Sequence, residues 1–328
     1  MSKKNIKNMS MKELKNSKEY KKLSKKCQLS NLKKIELINI LNHENKKVVN
    51  NNPSYNILYD FNNFDLKSAI KIGQGGFGQV YVIKNKNNKK KYIIKVVNKK
   101  DSELVIQEMD ILNKISDNCK QYFICYSGYS YNKKNIYLIT EFIGNTTDLS
   151  DYLYEKKNKL TDIMLLYILK QIVLGFIELH KEKVVHRDIK PENILFTDNQ
   201  KIKIIDYGFS CIEQNKLCYN KYQGSHNYMA PEIVKSTVSD FNIAKATDIW
   251  SIGIIAYYLF NNQKYPWNRR FSRDDILDKL ENLKEPIKSK KFGNIINPML
   301  VINPYKRKKN FNKVLIEIDK EIKKQIRK

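Results

Sequence analysis

The sequence predicts an α+β chain of two lobes, a small β-rich lobe with one helix followed by a larger α-helical lobe, and three observations carry that expectation. Between about residues 66 and 143, short runs with strand character dominate: AIKIG (69–73), QVYVIK (79–84), KYIIKVV (91–97), YFICYSGYSY (122–131) and NIYLITEF (135–142). A single helical pattern, SELVIQEMDILNKI (102–115), interrupts them. From about residue 148 onward long helical patterns take over, notably DIMLLYILKQIVLGFIELHKEK (162–183) and ATDIWSIGIIAYYLF (246–260). Strands first and helices afterwards is the order of an α+β architecture rather than of an alternating α/β one.

At 328 residues the chain can hold a two-lobed domain and a small additional segment. Its formal charge of +27 is almost all lysine, since arginine occurs only at 187, 269, 270, 273, 307 and 327. Heavy use of lysine, asparagine and isoleucine together has two readings. One is the coding bias of an AT-rich genome, leaving solvated lysines; the other is affinity for a polyanion. Cys27, Cys119, Cys125, Cys211 and Cys218 show no C-x-x-C pair and no metal-ligand spacing, which points to reduced cysteines in an intracellular compartment. The N-terminus lacks the apolar core of a signal peptide, and the longest apolar run, 249–260, is shorter than the roughly 20 residues a bilayer span needs.

Residues 1–50 form a lysine-rich segment with helical periodicity, Leu14, Tyr20 and Leu23 in one part and Leu32, Ile35, Leu37, Ile38 and Leu41 in another. Two short basic helices joined by a tight turn resemble the SAP-type helix-extension-helix module, and that resemblance implies nucleic-acid binding. A basic amphipathic extension packed on its neighbour accounts for the same pattern. Residues 51–65, opening with the polar NNPSYN, read as a linker. Residues 66–322 form the main domain, and 323–328 a basic tail.

The stretch IGQGGFGQVYV (72–82) places Gly73, Gly75, Gly76 and Gly78 within seven positions. Glycine at that density lets main-chain N–H groups approach a bulky anion. Strand character on both sides makes this a glycine hairpin rather than a strand-to-helix turn, serving as a lid over phosphates or as a bare structural hairpin. Downstream, Lys95 lies inside the apolar strand YIIKVV, where an ammonium needs an anion. A nucleotide phosphate and a helix carboxylate both qualify. Glu108 is the preferred carboxylate because Ile111, Leu112 and Ile115 would turn its face inward, with Glu103 as the alternative.

The run VVHRDIKPENIL (184–195) brings Asp188, Lys190 and Asn193 within six residues, and Asp206 follows in IIDYG (204–208). Two carboxylates and an amide can divide labour, one accepting a hydroxyl proton while the other joins the amide in holding Mg²⁺.

With these motifs in place, residues 66 to 320 resemble the eukaryotic protein kinase family, whose two-lobed fold the strand and helix order matches. The resemblance implies a lid over ATP from Ile72, Gly73, Gln74, Gly75, Gly76, Phe77, Gly78 and Val80, Lys95 on the α and β phosphates, and Glu108 as its anchor. It implies Asp188 as catalytic base, Lys190 at the γ-phosphate, and Asn193 and Asp206 as Mg²⁺ ligands. The backbone of Glu141, Phe142 and Ile143 would meet the adenine edge behind Thr140, with Asp148 at the ribose. Glu232 of GSHNYMAPE would pair with Arg307, and Asp248 would open a buried bracing helix. Lys190 and Ser225 place the chain with the serine/threonine branch, acting on protein substrates, with Ser225 hydrogen-bonding both Asp188 and Lys190. A catalytically weak kinase-fold scaffold, whose basic N-terminal segment binds nucleic acid or a partner, is the competing class, against which every catalytic position is filled. Ile93 and Tyr207 depart from the usual alanine and phenylalanine. Finally, the stretch from Asp206 to Glu232 contains no threonine, and Lys221 stands where an activating phosphothreonine falls. That implies activity without phosphorylation of this segment, with Glu213 or another acidic side chain meeting Arg187.

Overall fold

The computed structural model describes residues 57–75, 78–116, 119–156, 159–215, 218–219, 221–267 and 272–327. The basic extension with its SAP-like resemblance, and Gly76 and Phe77 of the glycine hairpin, lie outside the described residues. The chain divides into two units, one of residues up to 116 together with 125–142, the other of 117–124 and everything from 143 on.

In the first unit, β1 (Ile57–Leu58), β2 (Phe64–Gly75), β3 (Gly78–Asn85), β4 (Lys91–Asn98), β5 (Tyr126–Tyr131) and β6 (Asn135–Glu141) form one sheet in the order β1-β5-β6-β4-β3-β2. All neighbours are antiparallel except β1, which runs parallel to β5. Asparagine makes the turns. Asn85 Oδ1 accepts from the N–H groups of Asn87 and Asn88 between β3 and β4, and Asn132 Oδ1 accepts from those of Lys134 and Asn135 between β5 and β6. The helix α1 (Ser102–Lys114) buries Val105, Met109, Ile111 and Leu112, which puts Glu108 on its inward face.

The folded unit begins earlier than the sequence suggested. Residues 57–65, read as linker, supply β1, a 3₁₀ turn at Phe61–Asn63 and the start of β2. Phe64 is fully buried in a cluster with Ile83, Tyr92, Ile94, Tyr137 and Ile139, and Phe61 stacks on Tyr137 with centroids 3.9 Å apart. Three aromatics at 59, 61 and 64 outweigh the polar neighbours that made the stretch look like a connection. The predicted strand at 122–131 also divides. Its first residue ends a helical turn, α2 (Cys119–Tyr122), of the second unit, where Lys203 Nζ donates to the carbonyls of Cys119 and Phe123 at 2.7 and 2.8 Å.

The second unit contains β7 (Thr146–Asp148), α3 (Leu149–Glu155), α4 (Asp162–Lys181), β8 (Val184–Val185), β9 (Ile194–Thr197), β10 (Ile202–Ile204) and β11 (Cys211–Ile212). These are followed by α5 (Pro231–Val234), α6 (Phe241–Phe260), α7 (Arg273–Glu281), α8 (Gly293–Ile296) and α9 (Pro304–Ile326). Its strands form two small sheets, β10-β9-β7 and β11-β8. The helix α6 starts at Phe241 because Asp240 Oδ1 caps it, accepting from Asn242 and Ile243 N–H at 2.7 and 3.1 Å. Asp248 therefore sits inside this helix rather than at its start. Both α4 and α6, at 20 residues, are long and apolar enough to cross a bilayer, with 50% and 83% of their apolar windows buried within the protein. They are core helices: α6 is buried nearly all round and carries the fully buried Asp248, whose carboxylate the fold uses. The run 249–260 is thus the second half of a longer helix, held in protein.

Residues 323–326, read as tail, continue α9, whose Val314, Ile318 and Ile322 form a buried stripe. Lys323 and Lys324 complement the negative end of that helix.

Candidate active site

The glycine hairpin is observed as β2 and β3, with Gly73 opposite Val80, Gln74 opposite Gln79 and Gly75 opposite Gly78. One glycine is compelled by the close approach of a neighbouring strand. Gly78 has φ +143°, and a Cβ there would lie 2.2 Å from the Val96 carbonyl oxygen of β4. Gly73, by contrast, has room for a side chain. Val80 pairs with Lys95, so the hairpin and the lysine share a register.

Lys95 Nζ meets both carboxylate oxygens of Glu108, at 2.8 and 3.1 Å. The glutamate is nearly inaccessible at 5% and the lysine at 14%, so each charge depends on the other for the water it has lost. Of the two sequence candidates the structure therefore selects Glu108. Thr140 is buried opposite Ile93. Glu141 lies opposite Tyr92, donates its N–H to the Cys125 carbonyl, and accepts the Cys125 N–H on its side chain at 2.9 Å, while Ile72 is exposed.

The second unit assembles the other residues around one loop. Asp248 Oδ1 accepts the Arg187 N–H at 2.8 Å, and its Oδ2 accepts the His186 N–H and contacts His180 Nε2, both at 2.9 Å. A buried carboxylate thus holds two consecutive backbone amides immediately before Asp188. The His186 ring bonds the Ile205 carbonyl at 3.0 Å and packs 5.3 Å from the Tyr207 ring, tying this loop to the residues around Asp206. Tyr207 is fully buried with its hydroxyl donating to Ile204, so the substitution of tyrosine for phenylalanine leaves no polar atom stranded.

Asp188, 6% exposed, has three donors on its carboxylate. Ser225 N–H reaches Oδ1 at 2.7 Å, while Lys190 Nζ and Asn193 Nδ2 both reach Oδ2 at 3.3 Å. Asn193 Nδ2 also donates to the Asp188 carbonyl at 2.8 Å, which leaves the amide oxygen facing elsewhere. The Ser225 hydroxyl accepts from Lys190 at 2.9 Å. Ser225 therefore touches both expected partners, but it reaches Asp188 through its main chain and not its hydroxyl. Asp206 follows β10 in a left-handed conformation, φ 62°, as does Arg187 at φ 70°. Such strain in non-glycine residues persists only where surrounding contacts impose it. Ile143 belongs to this unit, and Asp148 Oδ1 accepts the Asp151 N–H at 2.9 Å as the cap of α3. The capping bond gives Asp148 a structural function beside the ribose contact that the resemblance implied.

Arg187 overturns one expectation. Among the described residues its guanidinium meets no acidic side chain of its own segment: Nη2 donates to the Lys221 carbonyl, and Nη1 contacts Gln223 Oε1 at 3.4 Å, Phe209 O at 3.5 Å and Cys211 Sγ at 3.5 Å. Glu213 pairs instead with Lys183 at 3.6 Å. Burial lowers the Arg187 pKa to about 10, offset by the nearby Asp248 charge. The Lys221 side chain is exposed, and its carbonyl turns inward to Arg187. Cys211 and Cys218 lie side by side, with Cα atoms 6.1 Å apart.

Glu232 and Arg307 form the expected buried pair, at 2.6 and 3.2 Å, with Arg307 also donating to the carbonyls of Ala246, Val301 and Ile302. Sequence reasoning missed His180, Gln223 and Gly224. At Gly224, φ is +122° and a Cβ would lie 2.8 Å from the Arg187 carbonyl. A glycine directly before Ser225 was the available signal.

Residues 66–316 match the model of the protein kinase domain. A probable serine/threonine-protein kinase of Dictyostelium discoideum is 30% identical over 261 residues, covering 76% of this chain and 54% of the relative. A serine/threonine-protein kinase of Arabidopsis thaliana is 34% identical over 206 residues, 61% of this chain and 42% of its own length. Calcium-dependent protein kinase 4 of Plasmodium falciparum is 34% identical over 225 residues, 65% of this chain and 40% of its own length. The chain thus spans about half or less of the length of these relatives. With a domain match over most of its length, this chain belongs to the protein kinase family.

Proposed function

We propose that the chain transfers the γ-phosphate of ATP to serine and threonine hydroxyls of protein substrates, with Asp188 as the base. The observation that carries this reading is the orientation of Asp188. Three donors of different kinds, a main-chain N–H, an ammonium and an amide, fix its carboxylate where a hydroxyl proton could be accepted.

The residues present fit a magnesium nucleotide. Asp206 and the amide oxygen of Asn193 are hard oxygen donors of the type Mg²⁺ takes, and Lys95, already desolvated beside Glu108, suits the α and β phosphates. When bound, the metal neutralises charge developing on the phosphates. The chain's own residues do the rest. Glu108 holds the lysine, Asn193 steadies Asp188 and its amide oxygen would serve the metal, and Lys190, shared between Asp188 and Ser225, would meet the phosphate being transferred. The Ser225 hydroxyl on Lys190 and the lysine itself support the serine/threonine branch, as do the curated relatives' names.

The test is phosphorylation of degenerate serine-, threonine- and tyrosine-centred peptides by the purified chain with labelled ATP and Mg²⁺. Label should enter the serine and threonine sets and fall by about 10²-fold or more in Asp188→Asn. Equal labelling by the variant, or label confined to tyrosine peptides, would overturn the reading.

A further inference from the structure

We propose that the outward face of α9, with the adjoining edge of α4, docks the second unit on a bilayer surface carrying anionic phospholipid headgroups, a role independent of the phosphotransfer reading.

Helix α9 turns one stripe inward, with Arg307, Phe311, Val314, Ile318 and Ile322 all buried. Successive residues of an α-helix advance by about 100° around its axis, which places a second set of positions opposite that stripe. Lys306, Lys313, Lys320, Lys323, Lys324 and Arg327 occupy that arc, and every one is exposed. Lys306, Lys313, Lys320 and Arg327 recur at seven-residue intervals and so line up along roughly 30 Å of helix. Glu317, Asp319 and Glu321, the acidic residues of α9, fall on the flanks of the arc.

Ion pairing does not withdraw these charges from solvent. Lys320 Nζ meets Glu317 at 2.7 Å and Lys324 Nζ meets Glu321 at 3.7 Å, yet the two lysine side chains remain 67% and 64% exposed. Exposed pairs of this kind hold little energy. The helix dipole does not account for the stripe either: it favours cations in the last turn, where Lys323 and Lys324 lie, and disfavours them in the first, where Lys306 lies. Heavy lysine usage sets how many lysines a helix carries, but not that acidic side chains leave one arc to them.

Apolar side chains decide the kind of polyanion. Of the ten large apolar side chains exposed among the described residues, five lie on these two helices: Tyr305, Ile316 and Ile326 on α9, and Met164 and Tyr167 on α4. Lys170, one turn past Tyr167, reaches Asp319 Oδ1 at 2.6 Å, so this edge of α4 adjoins α9. Ile316 stands in the cationic arc between Lys313 and Lys320. A nucleic-acid backbone offers phosphates to the lysines but nothing that buries an isoleucine. A headgroup layer offers phosphates at its surface and acyl carbon just beneath, where apolar side chains and lysine stems both find cover. A straight face of cations with interleaved apolar groups therefore fits a flat anionic interface, whose potential attracts each lysine near it.

The experiment measures binding of the full chain to phosphatidylcholine vesicles containing about 30% phosphatidylserine, with pure phosphatidylcholine vesicles and duplex DNA as contrasts. The chain should bind the anionic vesicles and not the neutral ones. The triple variant Lys313→Gln, Lys320→Gln, Arg327→Gln should bind them about 10²-fold more weakly, at about fivefold per cation, and Lys306→Gln, Lys323→Gln, Lys324→Gln should do the same. Ile316→Ser should weaken vesicle binding about threefold or more and leave DNA binding unchanged. Glutamine at Lys235, Lys264 and Lys284, exposed lysines outside α9, should cost less than about tenfold. All variants change exposed side chains and should melt as the parent chain does. No binding to anionic vesicles, an equal loss from the control triple, or full vesicle binding by both α9 triples would overturn the proposal. So would vesicle binding indifferent to Ile316→Ser, or α9 triples that lose duplex DNA while keeping vesicles, which would mark the face as a nucleic-acid surface.

Discussion

Replacing Asp248 by asparagine keeps the volume of a fully buried side chain and changes only its hydrogen-bonding character. The carboxylate now accepts from Arg187 N–H, His186 N–H and His180 Nε2. An amide has one accepting oxygen, so if that oxygen stays on Arg187 N–H, the new NH₂ faces the His186 N–H and strands a buried donor. A stranded buried donor costs about 1–3 kcal/mol, and the surviving bond loses its charge assistance, about 1 kcal/mol more. His180 can shift to the tautomer whose Nε2 accepts a hydrogen bond from the NH₂ and recover part of this. The net expectation is about 2–4 kcal/mol, which for a domain of this size lowers the melting temperature by roughly 4–16 °C. Because the stranded amide is two residues from Asp188, turnover should fall along with stability, even at temperatures where the variant is fully folded. Calorimetric or fluorescence melting, paired with peptide phosphorylation at a temperature well below both transitions, reads the two effects separately. A melting shift under about 2 °C with unchanged turnover would refute the argument that this carboxylate holds the loop through its main chain.

Other outcomes follow from the same contacts. On the proposed reaction, Asp206→Asn should abolish phosphate transfer while leaving the melting temperature nearly unchanged, since it would withdraw a metal ligand from a partly exposed position; labelled-ATP turnover and melting check it. Gly78→Ala should open the hairpin, because its Cβ would collide with the Val96 carbonyl, so the Michaelis constant for ATP should rise and hydrogen exchange in β3 and β4 should speed up. Phosphatase treatment should leave activity unchanged, since neutral acceptors occupy Arg187; a large fall, restored by phosphate on Tyr219 or Tyr222, would contradict this. Deleting residues 1–50 should leave peptide phosphorylation nearly intact and weaken binding to duplex DNA, measured by anisotropy across a salt series.

How much was legible in the sequence varies with how local the signal is. The hairpin, Lys95 and the run from His186 to Asn193 could be read because each is a short stretch whose residue types state their chemistry: glycines where a backbone must come close, an ammonium among apolar neighbours, a carboxylate beside an amide. Glu108 could be chosen because a buried lysine needs an anion and helical spacing says which face turns inward. Tertiary structure alone decided what Arg187 touches. Its partners are main-chain carbonyls and an amide more than 20 residues along the chain, and a carbonyl has no residue type by which to recognise it. The same holds for Asp248 holding amides more than 60 residues before it, and for three aromatics that made a core out of an apparent linker. Sequence states which groups are available. Which of them meet depends on distances through space that the folded backbone sets.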